Sequence, residues 1–255
     1  MSWALVTGAS SGMGLKYADR LAAQGHDILL VSNQEEELAR AAEDLSERYG
    51  IRTIPKYQDL SEPDAAGMLY TYCLLNEIEI EILVNNAGMF FFKELFPDDS
   101  HRTDTMIRLH ITTVTKLSVL FGDRMRSRGH GHILIVSSMA AVLPMPGITV
   151  YSATKAYLKS FGKSFYFEMR PYGVSVTTVC PAAIATPLYN LSDRLMNLGV
   201  RCGIIWTPDR LVKRALRAMY NGRRIIKPGF MNIYLPPLIA ILPKSIVTRI
   251  WKRIK

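Results

Sequence analysis

The stretch "WALVTGASSGMG", residues 3–14, decides how the rest of the chain is read. It opens as a short apolar strand, "WALVTG", and runs directly into a glycine-punctuated turn. A helical pattern over about residues 12–24 follows at once. Gly8, Gly12 and Gly14 permit a tight turn and let backbone N–H groups approach an anion at a helix N-terminus. Alone, such a turn is only a glycine-rich link. Between a strand and a helix it predicts a pyrophosphate-binding turn.

Outward from that stretch, strand-like and helix-like segments alternate. The strands are "HDILLVS", "IRTIPKY", "EILVNNAG", "HILIVSS", "VSVTTVCP" and a short "RRIIKPG". The helical patterns cover about residues 35–49, 62–77, 100–127, 151–170 and 208–220. Strands that read as continuous apolar runs suit a parallel sheet buried on both faces. Strand–helix alternation with short links implies right-handed βαβ units. The expectation is therefore α/β: a doubly wound, mostly parallel Rossmann sheet of about seven strands, with helices on both faces. No repeat interrupts it, so residues 1–228 read as one nucleotide-binding and catalytic domain and residues 229–255 as a basic amphipathic extension.

Composition agrees. The chain has 255 residues, of which 49% are hydrophobic and 21% charged, which excludes global disorder. The net charge is +9, and basic residues crowd the segment after Arg201, where Asp209 alone opposes them. A basic balance suits an anionic ligand, an anionic surface or a solvated face. The three cysteines, Cys73, Cys180 and Cys202, have no CxxC spacing, so neither a zinc site nor a disulfide framework is expected. A reducing compartment fits better, and with a strand beginning right after Met1 no signal peptide is expected. A cytoplasmic protein, either free or membrane-associated, is expected.

The chemistry lies in "YSATK", residues 151–155. Tyr151 and Lys155 are four apart, so they share one helix face. A free phenol has a pKa of about 10. An ammonium close by favours the phenolate and lowers that value, which suits proton exchange with a substrate oxygen. Ser138 ends the strand "HILIVSS", on the side of an open α/β sheet where ligands bind, and its hydroxyl suits the same oxygen. At the end of the second strand, Ser32 and Asn33 replace the carboxylate that would hold a ribose 2′-hydroxyl. That tilts the expected cofactor from NAD toward NADP. Asp59, after the third strand, reads either as a contact to an adenine edge or as a turn residue.

Together these residues resemble the short-chain dehydrogenase/reductase family in its ~250-residue form. The likeness rests on "TGASSGMG", on "NNAG" at 85–88, on Ser137 and Ser138, on "YSATK" thirteen residues after Ser138, and on "PAAIAT" from Pro181. The resemblance implies a dinucleotide-dependent oxidoreductase. Tyr151 would be the general acid–base, Lys155 its electrostatic partner and ribose ligand, and Ser138 the group that polarises the substrate oxygen. Gly8, Ser10, Gly12, Met13 and Gly14 would line the pyrophosphate and nearby ribose. Asn33 would stand at the 2′ position, Asp59 and Leu60 would flank adenine, and Asn86, Ala87 and Gly88 would run beside the adenosine ribose. Ile184 and Thr186 would meet the carboxamide. A homodimer or homotetramer is implied as well.

The sequence departs from the family in places. His110 stands where an asparagine usually holds a relay water, and it reads either as a proton relay or as a packed histidine. Ala182 replaces a glycine after Pro181, and Asn33 and Ser11 stand where NADP-using members often carry basic residues. These departures motivate a rival reading, a catalytically silent nucleotide-binding sensor or scaffold, which the intact Ser138, Tyr151 and Lys155 oppose. Met89, Phe90, Phe91, Met139, Leu143, Met145, Leu188 and Tyr189 predict an apolar, adaptable pocket for a lipophilic ketone, aldehyde or alcohol. Residues 187–203 are where the family keeps a substrate lid. The tail from Lys244 alternates Ile and Trp with Lys and Arg. It reads as a peripheral membrane contact, or as a cap or subunit interface. No nucleic-acid partner is expected.

Overall fold

The computed structural model describes residues 2–143, 145–182, 184, 205–229, 231, 232, 234 and 235. Seven strands form one sheet: β1 (Trp3–Thr7), β2 (Asp27–Ser32), β3 (Thr53–Tyr57), β4 (Ile80–Asn85), β5 (Gly131–Val136), β6 (Val174–Val179) and β7 (Ile225–Ile226). Their order is β3-β2-β1-β4-β5-β6-β7, and every pairing is parallel. Among the described residues the α-helices are α1 (Gly12–Ala22), α2 (Glu35–Tyr49), α3 (Ala65–Leu75), α4 (Ser100–Ile107), α5 (Val114–Arg128), α6 (Thr149–Met169) and α7 (Pro208–Tyr220). The doubly wound architecture read from the sequence is thus present, with an all-parallel sheet.

Period-2 alternation sorts the strand residues onto the two faces. Ala4, Val6, Ile28, Leu30, Ile82 and Val84 pack toward α1, α2 and α7. Leu5, Leu29, Val31, Leu83, Ile133 and Ile135 pack toward α3, α5 and α6. Both faces are covered, so neither face needs a polar residue, and the strands read as apolar runs for that reason. Each fully buried Leu or Ile contributes about 1.5–3 kcal/mol relative to exposure.

One charge sits in this core at the opposite rim from the site. Asp27, 0% exposed, starts β2. Its Oδ1 accepts the Arg52 backbone N–H at 2.9 Å, and its Oδ2 accepts two guanidinium N–H groups at 3.0 and 2.6 Å. These three bonds fix where β3 begins beside β2.

The long helical pattern over residues 100–127 is interrupted. Residues Arg108–Thr113 form a π-helical turn between α4 and α5. The interruption is held from outside: Arg108 Nε donates to the Ser61 carbonyl at 3.0 Å and Thr113 Oγ1 donates to the Leu60 carbonyl at 2.7 Å.

Candidate active site

β1 is the point where the winding reverses, with β2 on one side and β4 on the other. A cleft opens there by the physics of such sheets, since the links from the two neighbours leave in opposite directions. It has a volume of about 590 Å³. Its walls carry Gly8, Ser10, Gly12, Met13, Asn33, Asp59, Leu60, Asn86, Ala87, Gly88, Ser138, Tyr151, Lys155 and Ile184. Residues predicted from seven separate segments therefore converge. Thr186 lies outside the described residues, as do Leu188, Tyr189, residues 187–203 and the tail from residue 236.

The glycine turn works by close approach. Gly8 has φ +65°, a left-handed conformation that favours glycine. A Cβ on Gly14 would lie 2.6 Å from the Gly8 carbonyl carbon and 2.7 Å from Asn86 Nδ2. Gly14 thus serves the cleft from behind, letting α1 start against the turn, and is not on the wall itself. Thr7 joins this turn to the loop after β4. Its hydroxyl donates to the Val84 carbonyl at 3.2 Å and accepts the Asn86 and Ala87 N–H groups at 2.9 and 3.0 Å.

At the end of the cleft beside β2 and β3, the Ser10 and Ser32 hydroxyls are 2.9 Å apart. Asp59 Oδ1 accepts Ser61 N–H and O–H at 2.8 and 2.7 Å, and its Oδ2 accepts from Asn33 Nδ2 at 3.3 Å. Asp59 is therefore a turn residue that also lines the cleft. Burial opposes its ionisation, but these donors outweigh burial and hold its carboxyl below the usual range.

At the other end, α6 is docked by a serine that the sequence reading passed over as a site residue. Ser137 Oγ donates to the Lys155 carbonyl at 2.7 Å, and Ser137 N–H donates to the Val179 carbonyl at 2.8 Å. This pins the Tyr151–Lys155 turn of the helix to the end of the sheet. Ser138 caps the short turn Met139–Val142, its hydroxyl oxygen accepting the Ala140 N–H at 3.1 Å. Its proton is left to point elsewhere.

Lys155 is only 5% exposed. Nζ donates to the Val136 carbonyl at 3.1 Å and lies 5.6 Å from the Tyr151 ring centre. Loss of water around the ammonium pulls its pKa down from 10.5 to about 8. Tyr151 packs its ring edge-to-face on Phe90, with centres 4.9 Å apart. The Phe90 loop is bridged to the segment just before α6, where Lys93 N–H donates to the Gly147 carbonyl at 2.9 Å. Lys93 Nζ also pairs with Asp99 at 2.9 Å.

His110, 0% exposed, stands behind the cleft wall in the π-helical turn. Its ring centre is 5.9 Å from that of Tyr151. Nε2 accepts the Met89 N–H at 3.0 Å, and Nδ1 is 2.9 Å from Thr154 Oγ1. Burial, and then the Lys155 charge, push its pKa well below the usual histidine value.

The remaining departures are accommodated. Ala182 is buried at the cleft, and Met139 N–H donates to the preceding Pro181 carbonyl at 2.8 Å. Ile184 forms an isolated parallel bridge with Trp206. Asn232 folds back, donating to the Cys180 and Pro228 carbonyls at 3.0 and 2.6 Å. Among the described residues no helix is long and apolar enough to cross a membrane, and no group of His, Cys, Asp and Glu could hold a metal ion.

The profile of the short chain dehydrogenase family matches residues 2–194. The chain belongs to the short-chain dehydrogenase family. It is 34% identical over 261 residues to the very-long-chain 3-oxoacyl-CoA reductase of Anas platyrhynchos, covering 96% of this chain and 77% of that protein. It is 33% identical to the 17-beta-hydroxysteroid dehydrogenase type 3 of Mus musculus, covering 86% of this chain and 70% of that protein. Among solved structures, a short-chain dehydrogenase from Sphingobium yanoikuyae in complex with NADPH superposes with a TM-score of 0.80. Sequence identity there is 26%, over 96% of this chain and 98% of that one.

As a short-chain dehydrogenase, the protein is an NAD(P)-dependent oxidoreductase acting between carbonyl and alcohol. Its cleft fits the dinucleotide. The Gly8–Gly14 approach leaves backbone N–H groups at the start of α1, and a Cβ on Gly12 would meet nothing within 4 Å. Asn86 Oδ1 is buried with no partner among the described residues, and Lys155 has donors beyond its bond to Val136.

Proposed function

We propose that this short-chain dehydrogenase interconverts a ketone and a secondary alcohol on a bulky lipophilic substrate, with Tyr151 as general acid–base. The observation that carries the reading is the opening of Ser138, Tyr151 and Lys155 onto the same cleft as the glycine turn. In the reducing direction Tyr151 gives its phenolic proton to the developing alkoxide, and in the oxidising direction it takes that proton back. The Lys155 ammonium stabilises negative charge on the phenolic oxygen and offers its remaining N–H groups to ribose hydroxyls. Ser138, with its lone pair engaged by Ala140, directs its proton at the substrate oxygen. The nicotinamide, when bound, supplies or accepts the hydride.

The substrate class follows from the walls. Met89 and Leu109 line the cleft, and Phe90 packs edge-to-face against Tyr151. These side chains favour apolar bulk over a sugar or a small acid. The names of two relatives, a very-long-chain 3-oxoacyl-CoA reductase and a 17-beta-hydroxysteroid dehydrogenase, support a long acyl thioester or a fused-ring ketone. NADP is the preferred cofactor. No carboxylate ends β2, and the charge of Asp59 is already taken up by Ser61 and Asn33.

A Tyr151→Phe variant tests the reading on a panel of 3-oxoacyl-CoA thioesters and steroid ketones. NADPH binding, followed by fluorescence, should be kept while turnover falls by at least about 100-fold. Turnover close to that of the unaltered protein would remove Tyr151 from the role.

A further inference from the structure

The bonding around His110 runs in one direction only. Met89 N–H donates to Nε2 at 3.0 Å, so that nitrogen carries a lone pair. A neutral imidazole then has its proton on Nδ1, which faces Thr154 Oγ1 at 2.9 Å. Thr154 in turn gives its single proton to the Tyr151 carbonyl at 2.8 Å. The chain is thus Met89 to His110 to Thr154 to Tyr151, with each donor matched to one acceptor. An imidazolium would set a second N–H against that of Met89. Neither ring nitrogen is left over for a substrate or a water.

The chain crosses three elements. Met89 belongs to the loop after β4, His110 to the π-helical turn, and Thr154 and Tyr151 to α6. The π-helical turn is fixed independently by Arg108 and Thr113 to the carbonyls of Ser61 and Leu60. His110 is therefore the member that transmits a fixed position to the helix carrying the phenol. Gly88 fits this role, because a Cβ there would lie 3.0 Å from His110 Nε2.

We infer that His110, acting through Thr154, is a positioning residue that sets the aim of Tyr151 over the cleft. The inference rests on the assignment of Tyr151 as the acid–base group. Burial beside Lys155 keeps the imidazole uncharged and preserves the single bonding direction. Among the described residues, the groups facing it that titrate or carry charge are Lys155 and Tyr151, both on α6.

Thr154→Val keeps the side-chain volume and removes the bridging hydroxyl, so it tests the chain without opening a cavity at His110. NADPH affinity and the KM for a ketone should stay within about twofold while kcat falls about tenfold. His110→Asn should also lower kcat, and the double variant should lose less than the product of the two single losses, as members of one chain do. The shape of the kcat profile between about pH 5 and 8 should be the same in His110→Asn as in the unaltered protein. Circular dichroism melts separate these effects from misfolding, and Thr154→Val carries the test if the histidine variants do not fold. Unchanged kcat in Thr154→Val would overturn the inference. So would an acid limb that vanishes in His110→Asn, which would mark a titrating proton carrier. Retained turnover in Tyr151→Phe would instead bring down the underlying assignment.

Discussion

Lys155 gives a prediction in which function and stability pull apart. Its ammonium is buried, and its pKa falls from 10.5 to about 8 in the fold. At about 1.36 kcal/mol per pKa unit, the charged lysine is roughly 3 kcal/mol worse off folded than unfolded. Lys155→Met removes the charge and keeps an unbranched apolar chain of similar length. It also gives up the bond to the Val136 carbonyl, worth about 1 kcal/mol net. The variant without cofactor should therefore be about 2–3 kcal/mol more stable at pH 7, a rise in Tm of roughly 5–10 °C for a chain of this size. It should turn over no substrate. The pH dependence has a definite sign. Between about pH 8 and 10.5 the unfolded chain binds more protons than the folded one, so the stability of the unaltered protein rises with pH through that window. The penalty is in full force below pH 8 and fades toward pH 10.5. The gap between the two proteins, measured by equilibrium urea unfolding, should be widest near pH 7 and close as the pH is raised. A variant less stable than its parent at pH 7, or a gap indifferent to pH, would refute the reasoning.

Three more outcomes are expected. Gly14→Ala would push a methyl into the Gly8 carbonyl and the Asn86 amide, so NADPH affinity by fluorescence titration should fall at least about tenfold. Asn33→Arg adds a forked cation at the end of β2, and the NADPH/NADH ratio of kcat/KM should rise about tenfold or more. His26 and His132 have pKa values lowered chiefly by burial. Below about pH 6.5 the unfolded chain therefore takes up more protons than the folded one, and their contribution, intact above that pH, is lost on acidification. The urea midpoint should drop between pH 7 and 5, and a His26→Gln/His132→Gln double variant should lose less.

The sequence made the fold legible because the sheet is buried on both faces. Strands such as "ILLVS" and "ILIVSS" carry no polar alternation that could disguise them, and β1 announces itself through the glycines that follow. The Tyr151–Lys155 pair and Ser138 were legible from spacing and strand ends. The supports behind them were not. Thr154 reads as one more helical residue until His110 is seen 44 positions away in sequence and within bonding distance. The π-helical turn has no local signature either, since Arg108 and Thr113 find their acceptors in the turn after β3. Thr7 and Ser137 stood beside residues already singled out, and a polar side chain closing an apolar strand was the available hint. Asp59 kept two readings open because Ser61 serves it locally as a turn partner, while Asn33 meets it only once β2 and β3 lie side by side.

The bond from Lys93 to Gly147 has a consequence for how such a pocket changes over time. It stitches together two stretches of chain more than fifty positions apart that border the tyrosine, so neither can be re-tailored alone. Adding a residue to one undoes the stitch and releases the other. Enlarging or narrowing the entrance for a different guest molecule thus calls for matched edits on both borders, and a library that varies only one will mostly return loosened proteins.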